Sequence, residues 1–311
     1  MTVRTHRGFT MVELMIALVL TLAVGGVAYQ MLLRNSRVSR AQSEQIGVQD
    51  NVRSGALIIT NELREVGYDV VTADATAELG YAPAAPTRTD LLAINPSYIT
   101  YRATRGLGFV CQVTTAAPAT VLVRRGSWQE LRAPKTTDSL LLYVENQPNT
   151  ANDDAWVHLG IVATGAQNCP VGGAGLAFQV AAPADGLNLT TALNAVDVGA
   201  PVRVTEVMRM EHYVDAADGQ PYLGMRSISG GELTLRPVIG PLAANGGADP
   251  GLAFEFLDAN NAATGVLANV RVIRVALRGV TDQAVYGRKA YEATVDTLGL
   301  TTRVALRNTL R

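Results

Sequence analysis

Cysteine and histidine are scarce in this sequence of 311 residues, which has two cysteines and three histidines. Their scattered positions give no zinc-binding spacing, and no metal site or cofactor is predicted. The sequence also contains no Gly-x-x-x-x-Gly-Lys-Ser/Thr loop, no Gly-x-Ser-x-Gly elbow and no His-Glu-x-x-His motif. These absences exclude a nucleotide-driven motor ATPase and leave no catalytic grouping, so the protein is predicted not to be an enzyme.

An excess of charge of either sign is also lacking. Lysine and arginine number 26 against 27 acidic residues, a net charge of −1, so bulk charge gives no indication of nucleic-acid binding. Hydrophobic residues make up 48% of the chain. Much of this content lies in one N-terminal apolar run and in many alanines and valines, and the remainder is typical of a soluble globular head.

The apolar run extends from Phe9 to Leu33 and contains a single ionisable side chain, Glu13. One helix of this length spans the roughly 30 Å hydrocarbon layer of a bilayer. A short basic leader with Arg4 and Arg7 precedes the run. It predicts that the N-terminus stays in the cytoplasm and that the rest of the chain is exported, as a single-pass inner-membrane protein with a periplasmic head.

Glu13 is the unusual residue of this segment. A chance carboxylate near a helix end, reaching back to the interface, is one interpretation. A carboxylate inside an apolar segment costs roughly 3 kcal/mol even on insertion scales, so an ionisable residue there is a functional candidate by default. We therefore predict a functional role for Glu13 that involves a partner group.

The order of the leader and the apolar run also separates this chain from ordinary secreted proteins. A secretory signal peptide is cleaved after its apolar segment, whereas the predicted cleavage site here, between Gly8 and Phe9, precedes it. This N-terminal segment resembles the class III leader of the type IV pilin superfamily: it has Arg7-Gly8, followed by Phe9 through Glu13 and then an apolar helix. The resemblance implies cleavage by a prepilin peptidase, N-methylation of Phe9, and pairing of Glu13 with the new amino group of a neighbouring subunit.

The helix is predicted to continue well beyond the membrane. Apolar residues recur at steps of three and four on one face: Val48, Val52, Ala56, Ile59, Leu63 and Val66. Gly25, Gly26 and Gly47 are weak points where the helix could bend, and Gly67 is a natural C-terminal cap. The predicted organisation is a leader (1–8), a transmembrane or fibre-core helix (9–33), an amphipathic periplasmic helix (34–67) and a β-rich head (68–311).

The head shows the signals of short strands and turns. Strands are predicted at 90–94, 120–123, 140–144 and 252–256, and residues 146–200 are interpreted as a long loop-like excursion. The sequence motif Arg-Val-Ala-Leu-Arg occurs at 274–278 and again at 303–307. In each copy valine and leucine alternate with arginine and alanine, the pattern of a half-buried strand, so the two copies are expected close together in one antiparallel sheet. The predicted fold class is α+β, with a long N-terminal helix packed on an antiparallel β-rich head.

Cys111 and Cys169 both lie in the part of the chain predicted to be exported. In an oxidising compartment an even pair is more often a disulfide than two free thiols, so a bridge between them is predicted. Acidic turns at 215–219 and 258–261 could hold calcium, but neither has EF-hand spacing, and such residues usually form turns. Trp128 and Trp156 are expected as core or rim aromatics.

Short words in the head refine the resemblance. Three short motifs look like those of PilW-type minor pilins: Leu63-Arg64-Glu65-Val66-Gly67-Tyr68, Thr137-Asp138-Ser139-Leu140 and Val304-Ala305-Leu306-Arg307-Asn308. This implies a type IV pilus subunit that assembles with other minor and major pilins, a prepilin peptidase and an inner-membrane assembly platform. A J-type pseudopilin of type II secretion is the alternative, and a periplasmic binding or enzymatic domain on a signal anchor is the alternative of another class.

Overall fold

The computed structural model describes residues 10–66, 90–145, 155–182, 186–286 and 293–306. Contacts within the chain define two units, Met1–Asp50 with Val280–Thr297, and Asn51–Gly279 with Leu298–Arg311. These units do not follow the predicted processing boundaries, and the division into leader, membrane helix, periplasmic helix and head stays a prediction.

One helix, α1, runs from Met11 to Arg64 over 54 residues, or about 80 Å at 1.5 Å per residue. The continuous helix predicted from the sequence is confirmed over these residues. Gly25, Gly26 and Gly47 do not interrupt it, because a glycine costs only about 1 kcal/mol in a helix interior and the helix contains no proline. Phe9 and Gly67, the predicted first residue and cap, lie outside the described residues.

The second helix and the fifteen strands of the described residues all follow α1. The short helix α2 is Leu189–Asn194. The strands are β1 (Leu91–Asn95), β2 (Tyr98–Thr114), β3 (Thr120–Arg124), β4 (Gln129–Glu130), β5 (Ser139–Val144), β6 (Ala155–Asn168), β7 (Ala174–Ala181), β8 (Pro201–Val214), β9 (Pro221–Ser227), β10 (Arg236–Ile239), β11 (Leu252–Leu257), β12 (Val272–Val280), β13 (Val285–Tyr286), β14 (Ala293–Thr294) and β15 (Thr297–Ala305). The four predicted strands correspond to β1, β3, β5 and β11, and the predicted α+β class is confirmed.

Two long strands, β2 and β8, organise the main sheet. They pair antiparallel from Tyr98 opposite Glu211 to Phe109 opposite Pro201. At the end of this pair where Tyr98 lies opposite Glu211, β1 pairs with the outer edge of β2, and β9, followed by β10, pairs with the outer edge of β8. At the other end of the β2–β8 pair, β2 pairs with β3, β3 with β7, β7 with β6, β6 with β5, and β5 with β8. Six strands therefore close into a ring, which removes their free edges.

The interior of this barrel is filled by apolar side chains, as expected for a closed barrel of few strands. The buried cluster includes residues from all six strands and from α2. Phe178 and Leu140 are fully buried within it, and Ala192 and Leu193 of α2 belong to the same cluster. The barrel interior is therefore one hydrophobic core of the head.

The interpretation of residues 146–200 as a loop is wrong for most of the described part. It contains β6, a strand of 14 residues, and β7, and both are internal members of the barrel. Both sequences contain many alanines and glycines, which are depleted in strands and carry little strand signal, so cross-strand pairing fixes these elements instead. The Gly-rich part of the segment forms the turn between β6 and β7, where Gly172 and Gly173 have φ of +92° and +93°.

The last turns of α1 pack on the head through the predicted apolar stripe. Val52, Ile59 and Leu63 are essentially inaccessible to solvent. Gly55 brings the helix backbone close to β10, because a Cβ atom at this position would lie 2.1 Å from the Cδ1 atom of Ile239. The sequence signals predicted the stripe but gave no indication of this close approach.

The repeated word Arg-Val-Ala-Leu-Arg falls on neighbouring strands. The separate three-stranded sheet has the order β11, β12, β15. The first copy lies on β12, and the second begins on β15 and continues past its last residue, Ala305, to Leu306. Arg307 lies outside the described residues. In both copies the valine and leucine are buried while the alanine between them is more exposed. The predicted placement of the two words in one sheet, with one buried face, is confirmed.

Candidate assembly site at the start of the helix

The first turn of α1 is closed by reciprocal hydrogen bonds between Thr10 and Glu13. The backbone N–H of Glu13 donates to Thr10 Oγ1, and the backbone N–H of Thr10 donates to Glu13 Oε2, each at 3.2 Å. The Thr10 hydroxyl also donates to Glu13 Oε2 at 3.2 Å. This arrangement is a capping box, in which a Thr-x-x-Glu sequence satisfies two backbone donors that a helix start otherwise leaves open.

The capping box gives Glu13 a role in its own helix that the sequence interpretation overlooked. The Thr-x-x-Glu spacing is a recognised helix-start signal, so the sequence did contain it. The bond directs the carboxylate back toward Thr10, the residue that would follow the processed N-terminus. It also places a negative charge at the positive end of the helix dipole, where such a charge is stabilising. Helix capping and pairing with a neighbouring amine are therefore compatible uses of one carboxylate.

Gly8 and Phe9, the predicted processing residues, lie outside the described residues. Cleavage between them and methylation of Phe9 stay predictions.

The helix that carries this site suggests membrane anchoring. Among the described residues, α1 is long and apolar enough to cross a bilayer, and none of its most apolar 18-residue stretch is buried against the rest of the chain. Thr21, a polar residue inside the apolar run, donates its hydroxyl hydrogen to the carbonyl of Ala17 at 2.7 Å. Its polar group is thus satisfied within the helix, as lipid requires.

Comparison with known families places a known motif on this segment. Residues 3–29 match the family described as the prokaryotic N-terminal methylation motif. The motif supports a type IV pilin-like protein, a structural rather than enzymatic family, and indicates export. Searches of curated proteins and of solved structures found no match to the chain. The match covers less than a tenth of the sequence.

A disulfide joins the barrel strand β2 to the end of β6. Cys111 and Cys169 are bonded, with their Cα atoms 5.9 Å apart, inside the range of about 7 Å that a bridge requires. Both cysteines are buried beside Leu122 and Ala177. The bridge holds the turn after β6 against the strand at the centre of the sheet.

We expect the purified, unreduced and denatured protein to contain no titratable thiol. Replacement of both Cys111 and Cys169 by serine should lower the free energy of unfolding by up to about 4 kcal/mol, because the bridge closes a loop across a sequence separation of 58 residues. Denaturant titration of the wild type and the double variant measures this difference. Two thiols in the unreduced protein would contradict the prediction.

The acidic turns considered for calcium use their oxygens within the chain. Asp215 Oδ1 accepts from the backbone N–H of Ala217 at 2.9 Å. Asp258 Oδ1 accepts from the backbone N–H groups of Asn260 and Ala262. Both are the Asx turns that such residues commonly form.

A buried charge network, which the sequence did not reveal, links α1 to the head. Arg105 on β2 donates through Nε to Glu206 on β8 at 2.8 Å and lies 3.5 Å from Glu62 on α1. Arg132 contacts the same Glu206 at 3.1 Å and binds both carboxylate oxygens of Asp138 at 2.7 Å. Because these charges come from positions up to 144 residues apart, no local pattern could predict the network.

Hydrogen bonds from neutral residues complete the network. Ser227 donates to Glu206 at 2.5 Å, and Tyr101 donates to Glu62 at 3.0 Å. Burial raises the pKa of Tyr101 well above its usual value, and Glu62 raises it further. For Glu206, burial acts to raise the pKa, but the hydrogen bonds from Ser227 and the two arginines outweigh it, so the pKa is lowered. Glu206 is therefore held as a carboxylate.

An open groove of about 650 Å³ lies on the head beside this network. Its lining includes Phe109, Leu131, Trp156 and Arg203. Trp156 also contacts Tyr143, with ring centroids 5.5 Å apart. Trp128 instead packs against Phe178 in the barrel interior, so the two tryptophans are a rim and a core residue.

Proposed function

We propose that this protein is a minor pilin of the PilW type that takes part in the assembly or initiation of a type IV pilus. The observation that carries the proposal is the methylation motif over residues 3–29, on a helix whose intramembrane Glu13 points toward the processed end. The head words at 63–68, 137–140 and 304–308 support the PilW type. The protein would act by assembly and would catalyse no reaction.

In the proposed mechanism the subunit waits in the inner membrane, anchored by the apolar part of α1. A prepilin peptidase cuts after Gly8 and methylates Phe9, and the assembly platform then moves the subunit into the fibre. There the apolar helices exchange lipid contacts for contacts with one another, so extraction does not expose them to water. The new amine on Phe9 would pair with the Glu13 carboxylate of a neighbouring major or minor pilin, and the head would reach the cell surface.

A J-type pseudopilin of type II secretion is the second candidate, because a methylation motif on a long apolar helix also fits that role. Neighbouring genes distinguish the two: other minor pilin genes favour the pilus, and secretin-linked secretion genes favour the pseudopilin. A signal-anchored binding or enzymatic domain would use the open groove of the head. It would have no need of a carboxylate inside the anchor.

Processing provides the direct test of the proposal. Mass spectrometry of the mature protein should show N-methylated Phe9 as the first residue, and Gly8→Leu should leave the precursor uncut because a bulky residue occupies the cleavage position. Met11→Leu, an apolar exchange beyond the cleavage site, is the matched control and should be processed normally. A mature N-terminus beyond Leu33 would contradict the proposal and indicate an ordinary secreted protein.

A further inference from the structure

The open groove on the head has an apolar wall that follows from the alternation of β2. Gly106 faces the barrel interior, where its backbone packs against the ring of Trp128. Leu107 and, two residues further, Phe109 therefore point outward, and both are exposed and line the groove. Leu131, which is 80% exposed, lines it as well. Exposed apolar side chains gathered at one site are typical of a surface that binds a partner.

The ionisable groups that the groove offers to a partner are mainly carboxylates. The side chain of Glu65 is 50% exposed and that of Glu130 is 26% exposed. Arg203 is almost buried and lies 3.9 Å from Glu65, and Arg105 is bound in the buried network. Glu130 also pairs with Arg125 at 3.3 Å, but this pair is on the surface and contributes little. The groove therefore favours a partner that combines an apolar anchor with positive charge.

The outward side of α1 presents such a surface. Arg53, Leu57, Asn61 and Arg64 follow one another at steps of four, four and three residues, so they share one face of the helix. All four are exposed, and Leu57 is 64% exposed although it is apolar. We refer to these four residues as the outer helix face. Its arginines lie on either side of a leucine, a pattern that suits a helix bound in an apolar groove.

We propose that the groove of one subunit binds the outer helix face of a second copy of this chain. Leu57 of one copy would fill the apolar part of the groove between Phe109 and Leu131 of the other. The flanking arginines would then face the carboxylates of Glu65 and Glu130. The second copy is the occupant that the structure favours, because its own exposed helix supplies both the apolar anchor and the positive charge that the groove lacks.

The proposed contact joins two different surfaces of the chain. Each subunit in a pair therefore keeps one unused groove or one unused outer helix face, and the contact extends into a ring or an open helical array. Both surfaces belong to the unit that contains Asn51–Gly279, beyond the apolar run of α1. The inference thus goes beyond membrane anchoring and processing, and it can be tested without pili.

The test measures self-association of the full chain in detergent micelles by sedimentation velocity over a range of protein concentrations. Leu131→Gln changes the groove, and Leu57→Gln changes the outer helix face without altering charge. Both leucines are exposed in the single chain, so folding and Tm should be retained. Each substitution should weaken association at least tenfold, because the contact loses an apolar anchor and must bury an amide instead.

A mixture of the two variants gives the decisive measurement. Leu131→Gln keeps an intact outer helix face, and Leu57→Gln keeps an intact groove. Together they should form a one-to-one dimer about as tightly as wild-type subunits associate, whereas the wild type should continue to larger species. A mixture that associates no more strongly than either variant alone would overturn the proposal.

Leu233→Gln is the matched control, because it makes the same exchange at a leucine that is 87% exposed and lies outside both surfaces. It should associate like the wild type. Equal association of the wild type, Leu57→Gln and Leu131→Gln would overturn the proposal and assign self-association to the apolar part of α1. A wild type that stays monomeric at every concentration would overturn it as well.

The charges are tested by Arg53→Gln/Arg64→Gln, which keeps Leu57. Added salt should weaken association of the wild type but change that of this variant little, and equal salt dependence would overturn the pairing with the groove carboxylates. Mass spectrometry of the same samples, purified from the native host, separates this proposal from the proposed function. Methylated Phe9 with no effect of the leucine variants would overturn the contact alone. An unprocessed N-terminus would overturn the proposed function, whatever the association.

Discussion

Glu13→Gln is expected to block entry of the subunit into filaments while leaving insertion, cleavage and head folding intact. Glutamine at the third helical position still accepts a hydrogen bond from the N–H of Thr10, so the capping box survives while the negative charge is lost. A buried Phe9 amine without a carboxylate partner costs several kcal/mol. Incorporation, measured by immunoblot of sheared pili, should therefore fall at least tenfold, because 1.4 kcal/mol corresponds to a factor of ten.

Thr10→Ala is the matched control because it makes the opposite change. It removes the cap, at a cost of about 1 kcal/mol to the helix start, but keeps the Glu13 carboxylate. This variant should incorporate at close to the wild-type level. Normal incorporation of Glu13→Gln together with failure of Thr10→Ala would show that Glu13 acts only as a helix cap.

Arg105→Leu is expected to destabilise the head by about 3 kcal/mol, the lower end of the range for breaking a buried ion pair. The side chains of Arg105 and Glu206 are only 11% and 7% exposed, so the remaining carboxylates cannot regain full hydration. Glu206 keeps Arg132 and Ser227 as partners, which limits the loss. Thermal unfolding of the full chain in detergent should show a decrease in Tm of roughly 6–12 °C.

Arg125→Leu is the matched control for this prediction. It removes the same functional group from an ion pair with Glu130 at 3.3 Å, but the Arg125 side chain is 51% exposed. An exposed pair contributes about 0–1 kcal/mol, so Tm should change little. Equal effects of the two substitutions would contradict a special role for the buried network.

The network also predicts how stability depends on pH. The folded pKa of Glu206 is lowered, so its contribution is fully present above the unfolded pKa of about 4.3. That contribution is lost as pH falls through the lower folded pKa. We expect the Tm difference between the wild type and Glu206→Gln to shrink as pH is lowered through this range. A difference that stays constant from pH 7 to pH 3 would contradict the assignment.

The sequence by itself determined the features that depend on local pattern. A long apolar run, an apolar stripe that repeats every three or four residues, and short motifs of alternating apolar and polar residues each reflect the geometry of one helix or strand. They correctly predicted one continuous helix, which the structure shows from Met11 to Arg64, the buried face with Ile59 and Leu63, and the neighbouring strands of the repeated motif. The Thr10–Glu13 cap also follows from a local pattern, because its Thr-x-x-Glu spacing can be read from the sequence alone.

Only the tertiary structure decided how the head closes. The barrel depends on β6 and β7, whose alanine and glycine content gives little strand signal, and on pairings between strands distant in the sequence. Such pairings are chosen by collective packing rather than by local propensity. The same holds for Arg105, whose partners Glu62 and Glu206 come from a helix and a strand on either side of it in the chain. No single stretch of residues contains that information, because buried charges acquire partners only when the fold has brought them together.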